Sequence, residues 1–293
     1  MKKIIIALSA IVVIFIGVAL FRGNSSSSSN QKITIVASTD FYAEIAKTVV
    51  GEHGTATAII KDANVSPEDY EPTTTVAKKV SGADIVLANG LGYDAWLNKL
   101  AKTSKNTKLI RVGEDVLNKK TGVNPHLWND PETMSKTANY LATELGKKDP
   151  KNRDYYKKNA KKYVASLKPV NDLITKISKK ADGQTVAQTE PVFEYMLDAL
   201  GYKIMDTDFS EAIEEGNDPS PATLAALKSA ITNHKIAFFV NNTQTSSSTV
   251  SNLIDLAKKN DIPVVNVTET IPNGENYVSW KLKELKAIEK VTQ

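Results

Sequence analysis

The chain of 293 residues contains no cysteine. That absence removes disulfides, thiolate metal sites, cysteine nucleophiles and cysteine-borne lipid anchors together. Histidine occurs three times, so imidazole chemistry has to run through His53, His126 or His234. Arginine is equally scarce, at Arg22, Arg111 and Arg153, and the formal net charge of +4 resides in lysines dispersed along helical stretches. No arginine-and-aromatic stripe suggests a nucleic-acid partner. Neither a G-x-S-x-G elbow nor a P-loop pattern is present, which leaves hydrolase and nucleotidase readings without an anchor.

What the sequence does have begins at its N-terminus. Lys2 and Lys3 precede an uncharged apolar run over residues 4–21. As a helix it would span roughly 27 Å, close to a hydrocarbon core of ~30 Å. It is expected to be an uncleaved anchor with the remainder outside the membrane, a cleaved signal peptide being the alternative. GNSSSSSN then forms a flexible tether, so residues 1–30 are read as anchor and linker.

Beyond the tether, β-branched runs alternate with amphipathic ones. Strands are expected at 32–38, 55–60, 83–90 and 107–112, with helices at 41–51 and 94–102. From Pro131 to about Ala181 only helical stretches occur, divided at Asp149-Pro150 with Asp149 as an expected N-cap. Alternation resumes with strands at 183–188, 202–207, 235–242 and 262–269 and helices at 191–201, 219–234, 249–260 and 276–291. The expectation is an α/β protein: a doubly wound lobe at 31–128, a helical connector at 129–181 and a second doubly wound lobe at 182–293.

Open α/β sheets bind ligands beyond the carboxyl ends of their strands. At those ends the sequence places Glu68, Asp69 and Glu71 between Pro67 and Pro72, His126 in NPHLWNDP, Thr189-Glu190, Asn241-Asn242 and Thr268-Glu269. Each has an ordinary structural explanation alone. Glu190 suits a helix N-terminus, Glu269 a capping turn, and a loop histidine is a common hydrogen bonder. Jointly, an imidazole and several carboxylates at strand ends of two lobes suit a hard or borderline dication such as Mn²⁺ or Zn²⁺. His53 and His234 are adequately explained by a turn and a helix end. The rival is Gly90-Leu-Gly92-Tyr-Asp-Ala95, which matches G-x-G-x-x-A between a strand and a helix, with Glu114 some twenty residues on. It would make the chain a dinucleotide enzyme.

SPEDYEPT, ADIVLANGLGYDAWL, NPHLWNDP, TEPVFEYMLDALG, EEGNDPSPATL, NNTQT and TETIPNGENYVSW together resemble the zinc/manganese solute-binding proteins of bacterial ABC metal importers, cluster A-I type. The likeness runs from about Lys32 to the C-terminus. It implies two α/β lobes joined by a long rigid helix, no enzymatic activity, no organic cofactor, and a monomer serving a membrane permease and its ATPase. It also implies four metal ligands, two per lobe: Glu68, His126, Glu190 and Glu269. The first departs from the family, whose usual D-P-H-x-Y-E-P-T is here Ser66-Pro67-Glu68-Asp69-Tyr70-Glu71-Pro72-Thr73. A set of three glutamates and one histidine favours manganese over zinc. The alternative is a degenerate member acting as a surface adhesion module without tight metal binding.

Overall fold

The computed structural model describes residues 32–62, 65–205 and 207–292. The expected membrane segment and tether lie outside the described residues, among which no helix is long and apolar enough to cross a membrane.

The first lobe runs β1 (Ile33–Ala37), α1 (Asp40–Val50), β2 (Gly54–Ala58), α2 (Thr74–Ser81), β3 (Ile85–Ala88), α3 (Ala95–Lys102) and β4 (Lys108–Arg111). The helices α4 (Thr133–Lys148), α5 (Arg153–Ser166) and α6 (Lys168–Ala181) follow. The second lobe is β5 (Thr185–Gln188), α7 (Glu194–Leu200), β6 (Lys203–Ile204), α8 (Thr207–Glu214), α9 (Pro221–Thr232), β7 (Phe239–Asn242), α10 (Ser248–Lys259), β8 (Val264–Val267) and α11 (Tyr277–Val291).

Both sheets are parallel, in the orders β2-β1-β3-β4 and β6-β5-β7-β8. In each, the first strand sits between a neighbour on one side and the rest on the other. The order therefore reverses beside β1 and beside β5, the crevice where such sheets take their ligands. The expected architecture is present. Some strands are shorter than their apolar runs: the one expected at 202–207 is only Lys203–Ile204, because a helix starts at Thr207.

Helices α5 and α6 form the long connector, interrupted at Leu167. Pro169 has no N–H to return to Ala165, which accounts for the break, while Leu167 keeps helical backbone angles and the run continues. The helical stretch does more than connect. Met134, Leu141 and Leu145 of α4 and Tyr156 and Tyr163 of α5 enter the first lobe's core, whereas Val170, Ile174 and Ile177 of α6 enter the second lobe's. Asp149 does not cap its helix as expected; its Oδ2 accepts instead from Asn152 Nδ2 at 2.7 Å and the Tyr156 hydroxyl at 2.8 Å.

The C-terminal helix also crosses between lobes. Tyr277 and Trp280 pack into the first lobe's core with Phe41 and Trp128. The Tyr277 hydroxyl donates to the Trp128 carbonyl at 2.7 Å, and the Tyr277 N–H to Glu44 Oε2 at 2.9 Å. A shared aromatic core of this kind resists hinge opening, since separating the lobes would expose large apolar side chains to water.

Candidate metal centre

Every residue expected as a ligand follows the carboxyl end of a strand. The four meet on one cavity of about 300 Å³, lined by Glu68, His126, Glu190 and Glu269 together with Glu214 and Gln244. Asp69 lines it too, so the acidic loop faces inward along part of its length.

The Glu68 loop is held by more than its prolines. Trp96 of α3 donates its indole N–H to the Pro67 carbonyl at 2.9 Å, and its ring lies 4.8 Å from that of Tyr70. Thr73 then caps α2 by accepting from the Val76 N–H. This frame fixes a residue that is itself exposed at the cavity. Desolvation of its carboxyl group, followed by the charges of Asp69 and Glu190, raises the pKa of Glu68.

His126 is 2% exposed, with its ring against Trp128 and Tyr93. Burial lowers its pKa to about 3, so the ring is neutral at physiological pH. Its Nδ1 faces Asn124 Oδ1 at 2.8 Å, an oxygen that also accepts the His126 N–H at 2.9 Å. Asn124 Nδ2 is committed to the Pro191 carbonyl and Glu194 Oε2, which fixes the amide's orientation. Nδ1 must therefore carry the ring proton, and Nε2 offers its lone pair to the cavity.

Glu190 begins where β5 ends, and Asn242 at the end of neighbouring β7 donates to its Oε2 at 2.6 Å. Of the expected Asn241-Asn242 pair, only Asn242 serves the site; Asn241 pairs with Asn266. Glu269 follows β8, receives the Tyr93 hydroxyl on Oε1 at 2.6 Å, and gives its own N–H to Gln244 Oε1. Burial raises its pKa to about 7, with Glu190 and Glu68 adding to the rise and the Tyr93 hydrogen bond opposing it.

Glu214, the last residue of α8, was not singled out from the sequence, although EEGNDPSP stands among the stretches carrying the resemblance. Its Oε1 lies 3.4 Å from His126 Nε2. Burial, then Glu68, Glu190, Glu269 and Glu211, raise its pKa to about 8. Among the described residues, no three His, Asp or Glu side chains stand close enough to hold an ion as they are. Carboxylates gathered in one cavity repel one another, and proton uptake is the response expected where no cation offsets them.

The glycine loop that suggested a dinucleotide enzyme is already filled. Asp94 accepts the N–H groups of Asn89 and Gly90, at 2.6 and 3.0 Å, and Glu114 accepts that of Leu91 at 3.2 Å. Those amides are the donors a pyrophosphate would need. The loop instead props the site: Asn89 Nδ2 donates to the Pro125 carbonyl at 2.9 Å, immediately before His126, and Tyr93 reaches Glu269.

A buried network ties together the three loops that carry His126, Glu190 and Glu269. Lys281 is fully buried, with Nζ at 2.6 Å from Asn129 Oδ1, at 2.8 Å from Glu284 Oε2 and over the Trp280 ring. Glu284 Oε1 accepts the Thr268 N–H, beside Glu269, and the indole N–H of Trp280. Asn129, in the His126 loop, donates to the Val192 carbonyl at 2.6 Å, two residues after Glu190.

Two doubly wound lobes with acids and one imidazole converging on a cavity between their strand ends define a solute-binding protein of the metal-capturing type, not an enzyme. The family described as ZnuA, zinc-uptake complex component A periplasmic, matches residues 35–291, and the chain belongs to it. It is thus the extracytoplasmic substrate-binding component of an ABC importer for divalent metal. Similar proteins include the manganese ABC transporter substrate-binding lipoprotein PsaA of Streptococcus pneumoniae, 31% identical over 69% of this chain and 70% of the relative. The metal ABC transporter substrate-binding lipoprotein FimA of Streptococcus parasanguinis is 26% identical over 97% of this chain and 98% of the relative. The Mn-bound periplasmic metal-binding protein (S38A mutant) of Candidatus Liberibacter asiaticus superposes with a TM-score of 0.74 at 19% identity, covering 89% of this chain and all of the other. At that identity the likeness is one of fold.

Proposed function

We propose that the chain captures Mn²⁺ in preference to Zn²⁺ and passes it to a membrane permease whose ATPase supplies the energy. Its ligands are Glu68, His126, Glu190 and Glu269, and it is held at the outer face of the membrane by its apolar residues 4–21. The observation that carries this reading is the convergence of those four side chains on one cavity, with the Nε2 lone pair of a neutral His126 turned inward. Relatives named for manganese and for iron support a hard-cation cargo, as does the replacement of a nitrogen ligand by Glu68. Because the chain has no cysteine, the lipid attachment implied by its relatives' lipoprotein names is not open to it, which favours the apolar segment as anchor.

The ion does the final assembly in this reading. Its two positive charges offset the mutual repulsion of the carboxylates and draw them into coordination, displacing the protons they hold. Calorimetric titration of chelator-stripped protein with Mn²⁺, Zn²⁺ and Fe²⁺ tests it. Binding tighter than about 10 μM, near −7 kcal/mol, is expected for Mn²⁺. Glu68→Ala and Glu190→Ala should each weaken binding strongly and Asp69→Ala only slightly. Failure to bind any of the three ions would return the chain to the surface-interaction reading.

A further inference from the structure

Glu214 stands where a structural role explains it poorly. It closes α8 beside Glu211 and Glu215, three acids at the end of a helix whose partial charge is negative. Its Oε1 is buried and meets no hydrogen-bond partner. It faces His126 Nε2, the ring atom left with a lone pair because Nδ1 carries the proton and donates it in a hydrogen bond to Asn124 Oδ1. Two acceptors turned toward each other in a desolvated cavity are unfavourable unless a proton or a metal cation lies between them.

Their separation suits two ligands of one ion. Ligand nitrogens and oxygens sit about 2.1 Å from a transition-metal dication, so two ligands of one ion are roughly 3.0 Å apart at an octahedral edge and roughly 3.4 Å at a tetrahedral one. Glu214 Oε1 and His126 Nε2 are 3.4 Å apart. We propose that Glu214 is itself a ligand of the captured cation, sharing it with His126 and making the set four carboxylates and one imidazole. This rests on His126 being a ligand. A fifth protein ligand takes the site beyond the four-coordinate geometry that the 3.4 Å separation alone fits, and the pair would close slightly on the ion as the shell approaches the higher coordination number and oxygen-rich set that manganese accepts more readily than zinc. It also gives the second lobe a third contact with the ion, through α8, whose start follows the two-residue strand β6.

The test uses the chelator-stripped full chain, titrated with Mn²⁺, Zn²⁺ and Co²⁺, as wild type, Glu214→Gln and Glu214→Ala. Glutamine is nearly isosteric and the residue is partly exposed, so unfolding is not expected; thermal melts of the metal-free proteins check this. The expected result is a loss of Mn²⁺ affinity of about tenfold or more in both variants, with a smaller loss for Zn²⁺. The visible absorption of bound Co²⁺ should also change, because a ligand has been removed. Mn²⁺ affinity within roughly twofold of wild type, or tighter, with an unchanged Co²⁺ spectrum would overturn the proposal while leaving His126 and the other ligands in place. Wild-type protein that binds none of the ions would instead remove the metal-site reading itself, before any variant is compared.

Discussion

The Tyr93 hydroxyl donates to Glu269 Oε1 at 2.6 Å, joining the first lobe's glycine loop to the carboxylate that follows the second lobe's last strand. The bond favours the ionised carboxylate, and it is one of the forces opposing the burial that raises this acid's pKa. Tyr93→Phe removes it without altering the ring packed against Trp128. A hydrogen bond to a charged group contributes about 1.5–3 kcal/mol. Metal affinity at pH 7 should therefore fall about tenfold or more, measured by competition with a chelator of known strength. Unaltered affinity would mean that Glu269 does not need Tyr93 when it binds.

The raised carboxyl groups predict how pH acts. Glu269 titrates at about 7 and Glu214 at about 8 in the metal-free protein, both above the 4.5 of an unperturbed glutamate. The folded state holds these protons more tightly than the unfolded state, so the stability these two acids contribute to the metal-free protein is full below about pH 4.5 and is lost as pH rises to about 8, whereas buried neutral His126 acts in the opposite sense below about pH 6.5. The ion takes the deprotonated acids, so its affinity runs the other way and strengthens over the upper part of that window. Melting temperatures from pH 5 to 8.5, with and without Mn²⁺, should diverge as pH rises. Calorimetry at pH 7 in buffers of different ionisation enthalpy should register proton release on binding.

Restoring the family's residue with Glu68→His should move selectivity. It exchanges a carboxylate for a neutral nitrogen and removes one of the charges that raise Glu269 and Glu214. Zinc affinity is expected to gain on manganese by about tenfold, as the nitrogen count rises and the negative charge falls. Competitive titration with both ions reads the ratio directly. A ratio that does not move would place Glu68 outside the ligand set.

The buried Lys281–Glu284 pair predicts a separation of stability from binding. Lys281→Met leaves Glu284 buried without its cation and should cost about 3–5 kcal/mol of stability. The double change Lys281→Met with Glu284→Met removes both charges, and a melting temperature near wild type is expected. Metal affinity should remain weakened in the double variant, because the Asn129 and Thr268 anchors of two ligand loops are gone. Full recovery of both properties would reduce the pair to a stability element.

Much of this was legible in the sequence because it is local. Strand-like runs ending in polar residues placed Glu68, His126, Glu190 and Glu269 at carboxyl ends, and the parallel sheets put them there. What was misjudged or missed depends on partners distant in the chain. The Gly90 stretch has the pattern of a phosphate loop, but Asp94 and Glu114 occupy the amides of Gly90 and Leu91. Trp96 gives no sign in sequence that it holds the Pro67 carbonyl, and nothing in EEGNDPSP marks Glu214 as the acid that faces His126.

By itself the sequence determined the alternation of strands and helices, the family pattern and the residue types on offer, since periodicity and turn chemistry act over a few neighbouring positions. Only the tertiary structure decided which of those acids share a cavity, which nitrogen of His126 is free, and that Glu214 faces it. Those relations depend on two sheets and a shared aromatic core bringing together residues far apart in the chain, 176 positions for the bond between Tyr93 and Glu269 and 233 for that between Tyr277 and Glu44. The pKa of a carboxyl group is set by what surrounds it in space, whatever its neighbours in the chain.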